Sequence, residues 1–144
     1  MKRNLINCDF EVGEYYTRKD IYGIMNVPSD KQGGNWNTGY TRFNNTIFVF
    51  VNIGTAGRTG HDYPNRFDDS GLVWYGKTNS KLSHGLIQSI INSECKVYIF
   101  GRSYNKNPQF IFLGIGKVGE FEDSIPVKLT WIINNQKEIL DKLI

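Results

Sequence analysis

Thr46-Ile47-Phe48-Val49-Phe50-Val51-Asn52-Ile53 is the stretch from which the rest of the chain can be laid out. Ile47 to Ile53 is β-branched and aromatic almost throughout, with Asn44-Asn45 before it and Gly54 after it. A short run of that kind between turn formers reads as a buried strand. Working outward, Leu72 to Tyr75 is a shorter strand. Lys96 to Phe100 and Gln109 to Ile115 are two more, joined by a polar loop from Gly101 to Pro108, and Val127 to Ile133 is a last one. Thr17-Arg18-Lys19-Asp20 resembles a capping box with Asp in place of Glu, and Ile21, Ile24 and Met25 follow at helical spacing. A short helix is therefore expected over about 17–26, stopped by Pro28 because the residue before a proline avoids the helical region. Leu82, Leu86, Ile87, Ile90 and Ile91 share one helical face and predict a second helix near 82–93. The tail from Asn134 to Ile144 adds a helical turn or two. About six strands and two helices without a βαβ rhythm give an α+β fold around a twisted sheet or small β-barrel. Short strands separated by Gly- and Asn-rich turns favour a barrel or sandwich over a doubly wound sheet.

The chain has 144 residues, which is the length of one domain, so 1–144 is read as a single unit. It is 40% hydrophobic and 22% charged with two cysteines, which excludes collagen-like, disordered and disulfide-rich classes. No apolar run is long enough for a signal peptide or a membrane span, so a cytoplasmic protein with no membrane partner is expected. Cys8 and Cys95 have no C-x-x-C spacing and read as small buried hydrophobes; neither a zinc site nor any other metal or cofactor site is expected. The unusual number is the aromatic content, 3 Trp, 8 Tyr and 9 Phe, more than a core this small requires.

Charge is distributed unevenly. The net charge of +3 conceals a central region, 71–119, in which Lys77, Lys81, Lys96, Arg102, Lys106 and Lys117 face one acid, Glu94. A cationic stretch in a folded domain is the usual footprint of a polyanion partner.

Four segments carry the unusual chemistry. Gln32-Gly33-Gly34-Asn35-Trp36-Asn37-Thr38-Gly39-Tyr40-Thr41-Arg42 sets two large aromatics among glycines and carboxamides. Either Trp36 caps the core there, or the loop offers a stacking surface for a planar ligand. Gly54-Thr55-Ala56-Gly57-Arg58-Thr59-Gly60-His61-Asp62-Tyr63-Pro64-Asn65-Arg66 follows the strongest strand. It is neither a P-loop nor a dinucleotide fingerprint. It offers guanidiniums, a carboxylate, an imidazole and a phenol; Asp62 suits an amino-group donor and Tyr63 a stacking wall. Trp74-Tyr75-Gly76-Lys77-Thr78-Asn79-Ser80-Lys81 and Arg102-Ser103-Tyr104-Asn105-Lys106-Asn107 interleave cations, aromatics and small hydrogen-bonding groups. That mixture suits nucleic acid, with cations on phosphates and aromatics on bases, although solvated strand ends would look similar. Enzyme signatures are sparse: there is no G-x-S-x-G or H-E-x-x-H motif, His84 stands alone near the second helix, and Cys95 is expected to be inert once buried.

Four runs also resemble one bacterial domain family: Val12 to Ile21, Gln32 to Tyr40 (QGGNWNTGY), Asn52 to Asn65 (NIGTAGRTGHDYPN) and Leu72 to Ser80 (LVWYGKTNS). The family occurs at the C-terminal end of helicase-type, modification-dependent restriction enzymes that carry a phospholipase D-like nuclease, beside HNH nuclease modules, and sometimes alone. The resemblance covers about 10–131. It implies target recognition, the reading of 5-methylcytosine or 5-hydroxymethylcytosine in duplex DNA, for phage defence. It also implies a fold similar to the SET- and RING-associated (SRA) domain, a crescent-shaped β-barrel with flanking helices. The implied partners are modified double-stranded DNA and a nuclease or helicase module, fused or separate.

Residue roles follow from chemistry. Readers of the SRA type flip the base into a pocket and must recover a few kcal/mol of lost stacking and pairing. Trp36, Tyr40, Tyr63, Trp74 and Tyr75 are candidate walls, and Asp62 a candidate acceptor for the cytosine amine. Asn35, Asn37, Thr59, His61 and Asn65 are candidates for base edge or backbone. Arg42, Arg58, Arg66, Lys77, Arg102 and Lys106 are candidates for phosphate. The expectation is a non-enzymatic reader; the alternatives are a small metal-dependent nuclease subunit using His61 and Asp62, or a binder of free nucleotide or modified base.

Overall fold

The computed structural model describes residues 9–53, 65–68, 70–77, 79–104, 106–134 and 136–143. In chain order the strands are β1 (Tyr15–Thr17), β2 (Tyr40–Phe43), β3 (Thr46–Asn52), β4 (Arg66–Asp68), β5 (Gly71–Tyr75), β6 (Lys96–Arg102), β7 (Gln109–Ile115), β8 (Lys117–Glu122) and β9 (Lys128–Ile132). The helices are α1 (Arg18–Met25), α2 (Gly85–Ile91) and α3 (Gln136–Leu143). One sheet has the order β1-β7-β6-β3-β2 and the other β4-β5-β9-β8. The β3–β6 pair is parallel, and every other pairing is antiparallel.

The quoted stretch is the centre of the first sheet. Side chains along a strand alternate between faces, so Ile47, Val49 and Val51 point one way and Phe48 and Phe50 the other. The flanking strands repeat the division: Val97 and Ile99 against Tyr98 and Phe100 on β6, Ile111 and Leu113 against Phe110 and Phe112 on β7. Two separate cores result. The aliphatic faces pack against Leu72, Trp74, Leu129 and Trp131 of the second sheet, with Ile87 and Ile90 of α2 and Ile139 and Leu143 of α3 completing the layer. The aromatic faces pack against Phe10, Ile21 of α1, Val27 and Trp36. Here most rings meet edge-on or tilted, as in Phe10–Phe100 at 5.1 Å and Phe48–Tyr98 at 5.6 Å between centroids, while Phe50 and Phe100 stack. Such pairs add about 0.5–1.5 kcal/mol to the burial of the rings themselves.

Local chemistry sets the element ends. The capping box is present: Asp20 N donates to Thr17 Oγ1 at 3.0 Å, and Thr17 N donates to Asp20 Oδ2 at 2.9 Å. Asn26 ends α1 in the left-handed region, at φ 57°. Asn44 and Asn45, both at positive φ, make the two-residue turn between β2 and β3. Gly116 carries the chain from the first sheet to the second. A Cβ there would lie 2.5 Å from Ile99 Cδ1 and 2.7 Å from the Trp131 ring, so only glycine permits the two sheets to approach.

The α+β class holds, while the barrel is corrected. Among the described residues there are two packed sheets with no ladder closing one on the other, because β4 and β8, β1 and β2 remain edges. The tail forms a third helix, α3, which helps close the inter-sheet core. Strands β1, β2, β4 and β8 escape the apolar pattern because three are only three or four residues long and β8, Lys-Val-Gly-Glu-Phe-Glu, is largely solvent-facing.

The division of buried from exposed rings is testable. Phe112 is 0% exposed and Phe121 is 50% exposed. Phe112→Ala is expected to cost about 3–5 kcal/mol in urea denaturation, whereas Phe121→Ala stays within about 1 kcal/mol.

Candidate functional site

The aromatic face of the first sheet changes character at one end. Asn52 and Arg102 are register partners and stand one alternation beyond Phe50 and Phe100. Arg102 Nε donates to Asn52 Oδ1 at 2.8 Å, its Nη1 donates to the Asn107 carbonyl, and its Cζ lies 4.2 Å from the Phe110 ring centroid. Arg18, the first residue of α1, arrives from the other side. Its Cζ is 4.7 Å from the centre of Phe50 and 4.9 Å from that of Phe110, and its Nε donates to the Trp36 carbonyl. Asn37, Thr38 and Gly39 close the flank. Together these residues line a recess of about 170 Å³ that, among the described residues, contains two guanidiniums and no acid. Burial lowers the Arg18 pKa from its ordinary value, and the neighbouring Tyr22 acts in the opposite sense.

The same corner ties the chain on either side of 54–64. Asn65 Nδ2 donates to the Asn52 carbonyl at 3.3 Å, and Asn65 Oδ1 accepts from the Tyr75 amide at 2.9 Å. Asn52 is thus a hub, with its side chain holding Arg102 and its carbonyl holding Asn65. Tyr75, half-buried at the end of β5, is fixed beside the place where the chain re-emerges.

A second polar cluster lies on the opposite face of β2. Lys77 Nζ is 4.5 Å from the Tyr40 ring centroid, and the Tyr40 hydroxyl accepts from Lys77 N at 3.5 Å and also bonds the Ser80 side chain. Burial raises the Tyr40 phenol above its ordinary pKa, against the pull of those two bonds, and burial lowers that of Lys77.

Three of the expected walls lie within the cores. Trp36 is 3% exposed, and its ring is taken up by Tyr22, Phe43, Phe48 and Phe50. Trp74, 2% exposed, lies between Tyr40 and Trp131. Tyr40 is 7% exposed and offers its edge to Trp74. The three sit in two different cores, so they hold the corner in place and present no free face to a ligand. Asn37 lines the recess, while Asn35 is exposed and its carbonyl accepts from Thr38. Arg42 is exposed on β2 and donates to Asn45; Arg66 on β4 and Lys106 are exposed as well. Arg58, Thr59, His61, Asp62 and Tyr63 lie outside the described residues. Cys95 packs against the inter-sheet core, and His84 Nδ1 accepts from the Lys81 amide. Among the described residues no group of three His, Cys, Asp or Glu could hold a metal ion, and no helix is long and apolar enough to cross a membrane. Arg18 and Asn52 were not among the candidates. The signal for Asn52 was the alternation itself, since positions 48, 50 and 52, like 98, 100 and 102, share a face.

Comparison with known proteins adds a family. Residues 10–139 match the one described as a domain of unknown function, DUF3427. No curated protein matches the chain. Among solved structures, the chain is similar to a SUVH5 SRA domain in complex with hemimethylated CG DNA. That similarity has a TM-score of 0.45 at 17% identity, over 85% of this chain and 86% of the other. It is also similar to a SUVH5 SRA domain in complex with fully methylated CG DNA, with a TM-score of 0.43 at 19% identity, over 85% and 88%.

The Asn65 tie carries its own prediction. Asn65→Ala removes two hydrogen bonds and is expected to cost about 1–3 kcal/mol of stability. Amide hydrogen exchange should speed up at Tyr75, whose acceptor is lost, and remain unchanged at Val49 in the sheet centre.

Proposed function

The chain belongs to the DUF3427 family, and we propose that it is a DNA-binding domain that reads modified cytosine, 5-methylcytosine or 5-hydroxymethylcytosine, in duplex DNA. The observation that carries this reading is the corner where Asn52 and Asn65 tie both ends of 54–64 beside the Arg18–Arg102 recess. The segment between those two ties carries Arg58, Thr59, His61, Asp62 and Tyr63, the densest set of base-reading chemistry in the sequence. The likeness of Asn52–Asn65 and Leu72–Ser80 to target-recognition domains of restriction enzymes supports the same function.

In this reading the base leaves the duplex. Trp36, Tyr40 and Trp74 are committed to the cores, which leaves Tyr63 and Tyr75 as the walls. Each base–aromatic stack contributes about 1–3 kcal/mol, so two are of the size needed to offset flipping. Asp62 accepts from the exocyclic amine, which separates cytosine from thymine. Thr59, His61 and Asn65 serve the remaining edge or the backbone. The 5-methyl group, once buried, contributes about 0.8 kcal/mol, or roughly fourfold in affinity. Arg42, Arg58, Arg66, Lys77 and Lys106 contact phosphates. The domain itself is not a catalyst in this reading; it directs a restriction nuclease or helicase module, fused or separate.

A gel-shift series with plain, methylated and hydroxymethylated duplexes tests the reading, with Mg²⁺ added to a parallel set. The expected outcome is salt-sensitive binding, a preference for modified duplex and no cleavage. Asp62→Ala should reduce the discrimination by about 1–3 kcal/mol, and Lys106→Ala should weaken all duplexes alike. Cleavage that disappears in His61→Ala would instead assign a nuclease. Binding of free nucleotide without duplex would assign a nucleotide-binding protein.

A further inference from the structure

We propose that the recess between Arg18 and Arg102 is a phosphate-binding pocket. It extends the function proposed above by naming where the DNA backbone is gripped, and to that extent rests on it; the pocket's affinity for a phosphate group stands apart.

Lining chemistry selects the ligand class. The recess is bounded by Arg18, Arg102, Asn37, Asn52, Thr38 and the Phe50–Phe110 floor, and none of the described residues that line it is acidic. Both phenyl faces are already covered by guanidiniums, at 4.2 to 4.9 Å from the ring centres, so the floor offers no stacking surface to a base. The recess presents the terminal nitrogens of Arg18 and the Asn37 carboxamide instead, beside the charge of Arg102, a donor set that suits phosphate oxygens. Its volume of about 170 Å³ leaves room for a phosphate group.

Arg18 supplies an independent observation. Its guanidinium is half-buried, yet among the described residues its only hydrogen bond runs from Nε to the Trp36 carbonyl. Both terminal nitrogens, Nη1 and Nη2, are left without a partner there. Arg18 also occupies the first position of α1, where the helix dipole disfavours a cation. A half-buried cation in an unfavourable dipole, held by ring contacts and one backbone carbonyl with its terminal nitrogens open to solvent, is poised for an anion that arrives from outside. On the opposite side, Asn52 and Asn107 fix the orientation of the Arg102 guanidinium.

Two sources can supply the phosphate, a nucleic-acid backbone or a free phosphate group, and the test separates them. Full-length wild type, Arg18→Gln and Asn37→Asp are compared for binding to plain and methylated duplex across a salt series. Inorganic phosphate is titrated in parallel against the Arg18 and Arg102 Nε–H resonances. Asn37 is exposed, so its variant should fold even if Arg18→Gln does not. For a backbone phosphate, both variants lower affinity for the two duplexes equally, by about tenfold near physiological salt. Arg18→Gln also reduces the salt slope by about one. Unchanged duplex affinity with saturable, Arg18-dependent shifts on adding phosphate assigns the pocket to a free phosphate group. If the variants leave duplex binding and its salt slope intact and phosphate shifts neither resonance, the pocket proposal is overturned, even where methylated duplex is still preferred. Conversely, a wild type that ignores duplex but binds phosphate at Arg18 removes the DNA reading and leaves the pocket standing.

Discussion

The two-residue period of a β-strand governs this protein. Because successive side chains must leave a strand on opposite faces, a sheet buried on both sides needs two separate apolar surfaces. Here three neighbouring strands, β3, β6 and β7, assign them by shape, branched aliphatics to one face and rings to the other. Aliphatic side chains interdigitate with a second sheet. Rings suit the looser contact with a short helix and an irregular segment, where edge-to-face packing tolerates variable angles. A one-residue slip would exchange the two surfaces along a whole strand, so the register is firmly set.

That register also places the polar corner. Continuing the aromatic alternation by one step puts Asn52 and Arg102 over the rim of the ring layer, and the adjacent phenyl of Phe110 supports the guanidinium. The corner therefore inherits its rigidity from the core beneath it. Trp36 contributes at a distance: its ring sits in the core while its carbonyl orients Arg18. Phe50 and Phe110 thus act as the rigid backing for the two guanidiniums, as Tyr40 does for Lys77.

How legible each part was depends on how local its cause is. The capping box at Thr17–Asp20 and the end of β2 at Asn44-Asn45 are decided within a few residues, and the sequence displays them openly. The strands β3, β6 and β7 are long enough and apolar enough to be read directly. Of the short strands, β1 gains its ladder only from β7, far away in sequence, while β2 and β4 pair with the next strand along the chain but are too short to show an apolar alternation. Trp36, Tyr40 and Trp74 mislead for a related reason. Their neighbours are glycines, carboxamides and lysines, yet burial is decided by what packs over the ring in three dimensions. The surplus of aromatics in the composition thus belongs mainly to a second core. Arg18 was hidden within its own capping box, where a helix-start signal accounts for the surrounding residues without drawing attention to the guanidinium.

The bond between Asn65 and the Asn52 carbonyl has a consequence for how such a domain can evolve. With the two ends of the intervening chain pinned to the sheet, lengthening it adds a closure cost of only about 0.6 kcal/mol for each doubling. Changes of length between Ile53 and Asn65 thus meet a small entropic barrier, while two asparagines and a strand register hold the ends of the stretch constant.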